Sequence, residues 1–284
     1  MNKKQAWLLA ARPKTLPAAL APVLLSQSMA AAAGGFSWSL ALVILSCALA
    51  LQVAVNIAND LFDFQRGIDD GVRLGPARAA QSGWLSAREL QGGLILSLLL
   101  AVVSGGWLVL QGGWPFALLG LASVLGVLAY SAGPLPLASH GLGEVTVFLF
   151  FGLLAVCGSY YLQRQSLPVE VWLAAVQMGL LTAAIMLVNN LRDRESDKLA
   201  GKTTLALWLG EQGSRVLYAA LILLPLLLLP AGTLSFVWCA LPAALWLVLR
   251  IWRRSGIKLN RQLAQTALFC LLFALLRALD FLAF

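Results

Sequence analysis

Residues 38–60 read WSLALVILSCALALQVAVNIAND, and this stretch decides the fold. It begins at Trp38 and carries no charged side chain until Asp60. A membrane-spanning α-helix needs about 20 mostly apolar residues. The stretch is therefore predicted to cross a bilayer, with an acidic group at its carboxyl end.

The rest of the chain repeats this pattern. Hydrophobic residues make up 60% of the sequence and charged residues 11%, with a mean hydropathy of +0.85. A soluble domain is nearer half apolar and a quarter charged, so this chain has too little polar surface to face water. We predict an all-α, polytopic membrane protein with one domain, residues 1–284. Its nine predicted spans are Thr15–Gly34, Trp38–Asp60, Glu89–Gln111, Trp114–Ala132, Gly141–Gln163, Val169–Leu191, Ser214–Ala231, Leu234–Ile251 and Leu263–Leu282.

The basic residues predict the orientation of these spans. With the amino terminus in the cytoplasm, 18 of the 20 Lys and Arg residues fall in cytoplasmic segments. The outer loops then hold only Arg164, and Arg277 lies in the ninth span. Because cytoplasmic loops are enriched in Lys and Arg, this orientation is favoured, and an odd number of spans puts the carboxyl terminus outside. The same bias explains the net charge of +8 without a nucleic-acid partner.

The second and sixth spans each end in an acidic motif, next to the long cytoplasmic loops 61–88 and 192–213. Residues 56–63 read NIANDLFD, and residues 189–197 read NNLRDRESD. In each motif an Asn precedes an Asp by four residues, which places both on one helical face. These pairs are Asn59 with Asp63 and Asn189 with Asp193. The repetition indicates a loose duplication whose two copies face one site.

Clustered oxygen donors of this kind suit Mg²⁺, which binds a few carboxylates together with substrate phosphates. Nearby cations are available for the remaining anionic oxygens. They are Arg66, Arg73, Arg78, Arg192, Lys198 and Lys202. A simpler interpretation is that these residues are solvated loop charges and helix caps. That interpretation gives no reason for the motif to occur twice. The combination of both charge signs favours a metal–diphosphate complex.

The paired motifs resemble those of UbiA-type intramembrane prenyltransferases, whose members have nine helices and two Asp-rich motifs that bind a Mg²⁺-diphosphate. Within this superfamily the chain looks most like the branch that prenylates 1,4-dihydroxy-2-naphthoate in menaquinone synthesis. Besides the motifs, the stretches that carry this resemblance are RPKTLP at 12–17, RLGPAR at 73–78 and HGLGE at 140–144.

Two departures from the wider superfamily also resemble the naphthoate branch. Gly67 stands where many members have Asp, and the acid follows at Asp69, with Asp70 as the other candidate ligand. Tyr130 is followed four residues later by Pro134, where relatives acting on 4-hydroxybenzoate have Lys.

The resemblance implies Mg²⁺-dependent transfer of a polyprenyl group from polyprenyl diphosphate to 1,4-dihydroxy-2-naphthoate, with decarboxylation, in the bacterial inner membrane. The implied catalytic residues are Asp60, Asp63, Asp193, Asp197 and Tyr130. The implied metal ligands are Asn59, Asp63, Asp69, Asp193 and Asp197. Diphosphate contacts are expected from Arg66, Arg73, Arg78, Lys198 and Lys202. Acceptor contacts are expected from Lys14, Asn56, Asn189 and Asn190. For His140, a structural role in its loop is favoured over a role as a base.

Two alternatives stay open from the sequence. One is a prenyltransferase for another aromatic acceptor, such as 4-hydroxybenzoate. The other is a cation or small-molecule transporter, because intramembrane carboxylates are common in transporters. Transporter sites lie near the bilayer midplane, whereas these acids are predicted at helix ends, which favours the enzyme.

Overall fold

Ten α-helices make up most of the computed structural model, which describes residues 1–67, 74–133, 136–229 and 235–283. In chain order they are α1 Lys3–Ala11, α2 Leu16–Ala32, α3 Trp38–Gln65, α4 Ala87–Gly112, α5 Trp114–Ser131, α6 Gly143–Arg164, α7 Val169–Leu199, α8 Leu205–Leu227, α9 Leu241–Ile251 and α10 Leu259–Ala283. These described ranges contain no strand. Helices α2 to α10 correspond to the nine predicted spans, so the predicted all-α, nine-helix fold is confirmed.

Among the described residues, seven segments are long and apolar enough to cross a membrane: Lys3–Ala32, which joins α1 and α2, then α3 to α7, and Gly256–Ala283, which contains α10. Helices α8 and α9 are not among these segments because one is less apolar and the other is shorter. Helix α8 carries Glu211 and Arg215 in its first half, and α9, with the 3-10 turn before it, gives the shorter apolar segment Phe236–Ile251.

Among the predicted helix ends, the start of α8 and the ends of α3 and α7 were wrong. Helix α8 begins at Leu205 rather than Ser214. Helix α3 continues to Gln65 rather than ending at Asp60, and α7 continues to Leu199 rather than Leu191. The acidic motifs thus lie on helices and not in the loops that follow them. The physical reason is that each polar face finds partners inside the protein, so the first charges do not end the helix.

At each end of the bundle, a hydrogen bond links segments that are far apart in the sequence. At one end, the Ser37 backbone N–H donates to Gln163 Oε1 (3.0 Å), which links the α2–α3 connection to the last turn of α6. At the other end, Asn260 Nδ2 donates to the Leu74 carbonyl (2.7 Å), which links the start of α10 to the segment after α3. The acidic motifs lie at this second end.

Helix α6 packs on α7 through two glycines. The segment Phe148–Gly158 of α6 is π-helical, and Gly152 within it faces Gly179 of α7. A Cβ added at Gly152 would lie 2.5 Å from Gly179 Cα and 2.7 Å from the Ala175 carbonyl oxygen. Small residues at such contacts allow helix backbones to approach closely in a membrane.

Gly152→Ala is therefore expected to destabilise the protein by about 1–3 kcal/mol, because the new methyl group must displace the α7 backbone. The thermal unfolding midpoint of the purified protein in detergent is the measurement. Gly92→Ala in α4 is the matched control, since a Cβ there meets no atom within 4 Å. A Gly152→Ala protein as stable as Gly92→Ala would contradict this packing.

Candidate active site

A cavity of about 760 Å³ lies between the helices and has a polar end and apolar walls. Along α3, its lining runs from Ile44 to Asp63, which is about 28 Å at 1.5 Å per residue. Near Asp63 the lining is formed by both acidic motifs and several basic side chains. Away from them it is mainly apolar and includes Val23, Ile44, Leu108, Phe116, Phe150 and Leu154.

The first motif is held by the segment that follows α3. The Asp63 carboxylate pairs with Arg78 (Oδ2–Nη2 2.5 Å), and Arg78 Nη1 also donates to the Asn59 carbonyl. Asp60 is almost fully buried, and its carboxylate accepts the backbone N–H groups of Ala79 (2.9 Å) and Ala80 (3.4 Å). Asp60 thus fastens this segment to α3, whereas Asp63 is paired with a cation in the cavity wall.

The second motif is held by a buried arginine. Arg192 binds both oxygens of Asp193 (Nε–Oδ1 2.8 Å, Nη2–Oδ2 2.5 Å) and donates to Asn189 Oδ1 (2.8 Å). One turn further along α7, Asp197 pairs with Lys202 (3.0 Å). Asp63, Asp193 and Asp197 therefore each have a basic partner.

Asn260 connects the two motifs. Its Oδ1 accepts from Arg192 Nη1 (2.8 Å), while its Nδ2 donates to the carbonyl of Leu74, on the segment that carries Arg78. Both motifs therefore line one cavity and are linked to each other through Asn260.

Tyr130, Met186 and Asn190 line a corner of the cavity, and Gly143 and Glu144 contact this group without lining the cavity. The Tyr130 hydroxyl donates to Met186 Sδ (3.0 Å), and Asn190 Nδ2 donates to Glu144 Oε1 (2.9 Å). Gly143 leaves room for this corner, because a Cβ there would lie 3.3 Å from Met186 Cε and 3.7 Å from the Tyr130 hydroxyl. Neither Glu144 nor Asn260 was assigned a role from the sequence.

Most of the predicted site residues that the structure describes line the cavity. They are Lys14, Asn56, Asn59, Asp60, Asp63, Arg78, Tyr130, Asn189, Asn190, Asp193, Asp197 and Lys202. Arg66 and Lys198 do not; both are exposed, and Arg66 donates instead to the Gly133 carbonyl (2.7 Å). His140 is also outside the lining, and its Nδ1 lies 2.8 Å from the Pro136 carbonyl oxygen of its own loop. The predicted residues Asp69, Arg73 and Pro134, and the alternative ligand Asp70, lie outside the described residues.

The donor atoms fit a hard divalent cation. The Asp and Asn side chains of the motifs offer oxygen atoms as metal ligands, and Asn59 Oδ1 is buried without a hydrogen-bond partner. Within the described ranges, no three acidic, His or Cys side chains converge tightly enough to hold an ion by themselves. Mg²⁺ fits this arrangement, because it retains waters and is commonly bound by one or two carboxylates together with substrate phosphates.

A helical membrane protein with a charged pocket at the end of a long apolar cavity is suited to an amphiphile with an anionic head. The sequence profile of the UbiA prenyltransferase family matches residues 19–276, and the chain belongs to this family. The protein is therefore a prenyltransferase, and the transporter alternative is set aside.

Similar proteins agree with this assignment. The chain is 40% identical over 229 residues to 1,4-dihydroxy-2-naphthoate octaprenyltransferase of Haemophilus influenzae, covering 78% of this chain and 74% of the relative. The protein of the same name from Escherichia coli is 38% identical with the same coverage.

Solved structures share the fold at low sequence identity. A UbiA homolog from Aeropyrum pernix in the apo state superposes with a TM-score of 0.66 at 15% identity, covering 95% of this chain and 98% of that one. A UbiA homolog from Archaeoglobus fulgidus bound to DMAPP and Mg²⁺ gives 0.62 at 17% identity, covering 98% and 99%.

Proposed function

We propose that the protein transfers a polyprenyl group from polyprenyl diphosphate to 1,4-dihydroxy-2-naphthoate with loss of the naphthoate carboxylate as CO₂. The observation that carries the proposal is the position of three paired Asp carboxylates at one end of a long, mainly apolar cavity. The diphosphate head fits the charged end, and the isoprenoid chain fits the apolar walls. The names of the relatives support the naphthoate as the acceptor.

The three carboxylates and Asn59 would hold Mg²⁺, with Asp69 as a further candidate ligand. Bound Mg²⁺ supplies positive charge that favours departure of the diphosphate. Arg78, Arg192 and Lys202 lie beside the carboxylates and are placed to bind the anionic oxygens of the head group. Asp60 acts through the backbone it fastens, because its oxygens already accept two N–H groups.

In the proposed reaction the allylic C–O bond breaks and its electron pair leaves with the diphosphate. The ring carbon that bears the carboxylate forms the new C–C bond, and the pair released with CO₂ restores the aromatic ring. The apolar walls exclude water from the allylic cation. Tyr130 lies at the junction between the acids and the walls, where its ring face stabilises positive charge.

The acceptor would occupy the corner beside Tyr130, with Asn189 and Asn190 on α7 as its polar contacts. Lys14 and Arg78 are the candidate partners of its carboxylate. Asn56 also lines the cavity, but its Nδ2 already donates to the Ala11 carbonyl (2.9 Å) and holds α1 against α3.

The protein is expected to release labelled CO₂ from carboxyl-labelled 1,4-dihydroxy-2-naphthoate when a long prenyl diphosphate and Mg²⁺ are supplied. The lipid product should carry no label, since the carboxylate is lost. Scintillation counting of the gas phase and mass spectrometry of the extracted quinol are the measurements. Efficient prenylation of 4-hydroxybenzoate with its carboxylate retained, and no reaction of the naphthoate, would contradict the proposed acceptor.

We also propose that the acidic motifs face the cytoplasm in a bacterial inner membrane, with the amino terminus inside and the carboxyl terminus outside. Support comes from the bias of basic residues toward the end of the bundle that carries the motifs.

In a Cys239→Ser background, which removes the one exposed native cysteine among the described residues, Lys198→Cys should react with an impermeant maleimide only after the membrane is opened. Ser166→Cys, exposed at the opposite end, should react in intact spheroplasts. The reverse pattern would contradict the orientation.

A further inference from the structure

Glu144 is a buried acid that the proposed reaction does not use. It lies in the first turn of α6, is 5% exposed, and does not line the cavity itself. Its Oε1 accepts from Asn190 Nδ2, while its Oε2 is enclosed without a hydrogen-bond partner. Burying a carboxylate with part of its hydrogen-bonding capacity unused costs stability, so a purely structural role explains this residue poorly.

The contact with Glu144 fixes the direction of the Asn190 amide. An amide has a donor end and an acceptor end, and a carboxylate accepts only from the donor end. With Nδ2 held by Glu144, the amide oxygen of Asn190 is directed away from it. Asn190 lines the cavity, so this oxygen can accept a hydrogen bond from a bound molecule.

The surroundings of Asn190 match an aromatic ring that carries a hydroxyl group. Tyr130 and Met186 form the adjacent wall, and both line the cavity. Gly143 lies against the same corner, since a Cβ there would be in van der Waals contact with Asn190 Nδ2 (3.8 Å). A hydroxyl on a ring lying against Tyr130 can donate to the Asn190 oxygen.

We propose that Glu144 is a positioning residue that orients Asn190 so that its amide oxygen accepts a hydrogen bond from a hydroxyl of the aromatic acceptor. The pair thereby selects hydroxylated rings over unsubstituted ones. This inference rests on the proposed function for the identity of the acceptor. A site built to bond a substrate hydroxyl discriminates against analogues that lack it, because the polar group is then left unpaired.

The test measures binding rather than turnover. Titration calorimetry of the purified protein without prenyl diphosphate compares 1,4-dihydroxy-2-naphthoate with 2-naphthoate, which lacks both hydroxyls. We expect the wild-type protein to prefer the dihydroxy compound by about tenfold or more, the contribution of one well-placed hydrogen bond. Glu144→Met should reduce this preference several-fold. Glu144→Gln should reduce it less, because its amide oxygen can still accept from Asn190.

Two controls separate orientation from general damage. Glu170→Gln removes an exposed acid at the opposite end of the bundle and should keep the wild-type preference. In an Asn190→Ala background, Glu144→Met should cause no further loss of preference, because the group it orients is gone.

The inference is overturned if the wild-type protein binds both compounds equally, or if both Glu144 variants keep the wild-type preference. It is also overturned if the effects of Glu144→Met and Asn190→Ala add independently, or if Glu144→Gln does not fold, since either result indicates a structural role. Failure of the proposed function has a different signature. The binding preference would then persist in wild type, with no labelled CO₂ released on addition of prenyl diphosphate and Mg²⁺.

Discussion

Asp193→Ala is expected to lower kcat about 10²–10³-fold or more while the protein remains folded, as for the loss of a single charge-stabilising group at other active sites. Asp193 lines the cavity in the second acidic motif, where it holds the Arg192 guanidinium through both of its oxygens. Without this carboxylate the motif loses a proposed metal ligand, and Arg192 loses two of its hydrogen bonds. Initial rates of diphosphate release at saturating substrate are the measurement.

Glu195→Ala is the matched control for this prediction. Glu195 lies two residues further along the same helix, is exposed, and pairs with Arg194 at the surface. It removes an equal charge without touching the cavity, so kcat should stay within about twofold, since surface ion pairs contribute little. A folded Asp193→Ala enzyme with near-normal kcat would remove Asp193 from the proposed site.

Arg78→Ala is expected to reduce both activity and stability. Arg78 is 7% exposed and pairs with Asp63, so truncation leaves a buried carboxylate without its cation. Removing one partner of a buried ion pair typically costs about 3–5 kcal/mol. The same change removes a proposed diphosphate contact, so kcat/KM for prenyl diphosphate should fall about 10²-fold, as for the loss of one preorganised charge-stabilising contact.

Arg78→Lys separates charge from geometry. Lysine keeps the positive charge but cannot reach Asp63 and the Asn59 carbonyl in the way that a planar guanidinium does. We expect partial recovery of the unfolding midpoint and little recovery of kcat/KM. Arg88→Ala, which removes an exposed cation near the start of α4, should change neither. A stable and fully active Arg78→Ala protein would show that the Asp63 pair is dispensable.

The fold could be predicted because one property of the sequence, the length of its apolar runs, controls it. Long runs of apolar residues specify spanning helices, and the nine predicted spans correspond to helices α2 to α10. Among the described residues, all of these helices except α8 and α9 lie in segments long and apolar enough to cross a membrane. The ends of α3 and α7 could not be obtained in this way. Hydropathy treats Asp63 and Asp197 as exits from the membrane, whereas their ion pairs with Arg78 and Lys202 keep them inside the helical bundle.

The candidate site was predictable only where residues lie close in sequence. The spacing of Asn59 and Asp63 is a local pattern, and it placed both residues at the cavity. Asn260 lies far from both motifs in the chain, so its bridge between Arg192 and Leu74 has no signature in the sequence. Glu144 had a possible signal, since it is an isolated acid at the start of an apolar helix, but its pairing with Asn190 required the structure.

The packing of α10 has a consequence for biosynthesis. Helix α10 lies against α2 and α7, and its residues Ala267 and Phe273 share a core with Leu25 of α2. The ribosome makes α2 long before α10, so α2 enters the bilayer before the helix against which it packs has been synthesised. Asn260, which joins the two motifs, arrives with α10. A nascent chain stalled after α9 would thus contain both acidic motifs but lack the Asn260 hydrogen bonds that link them.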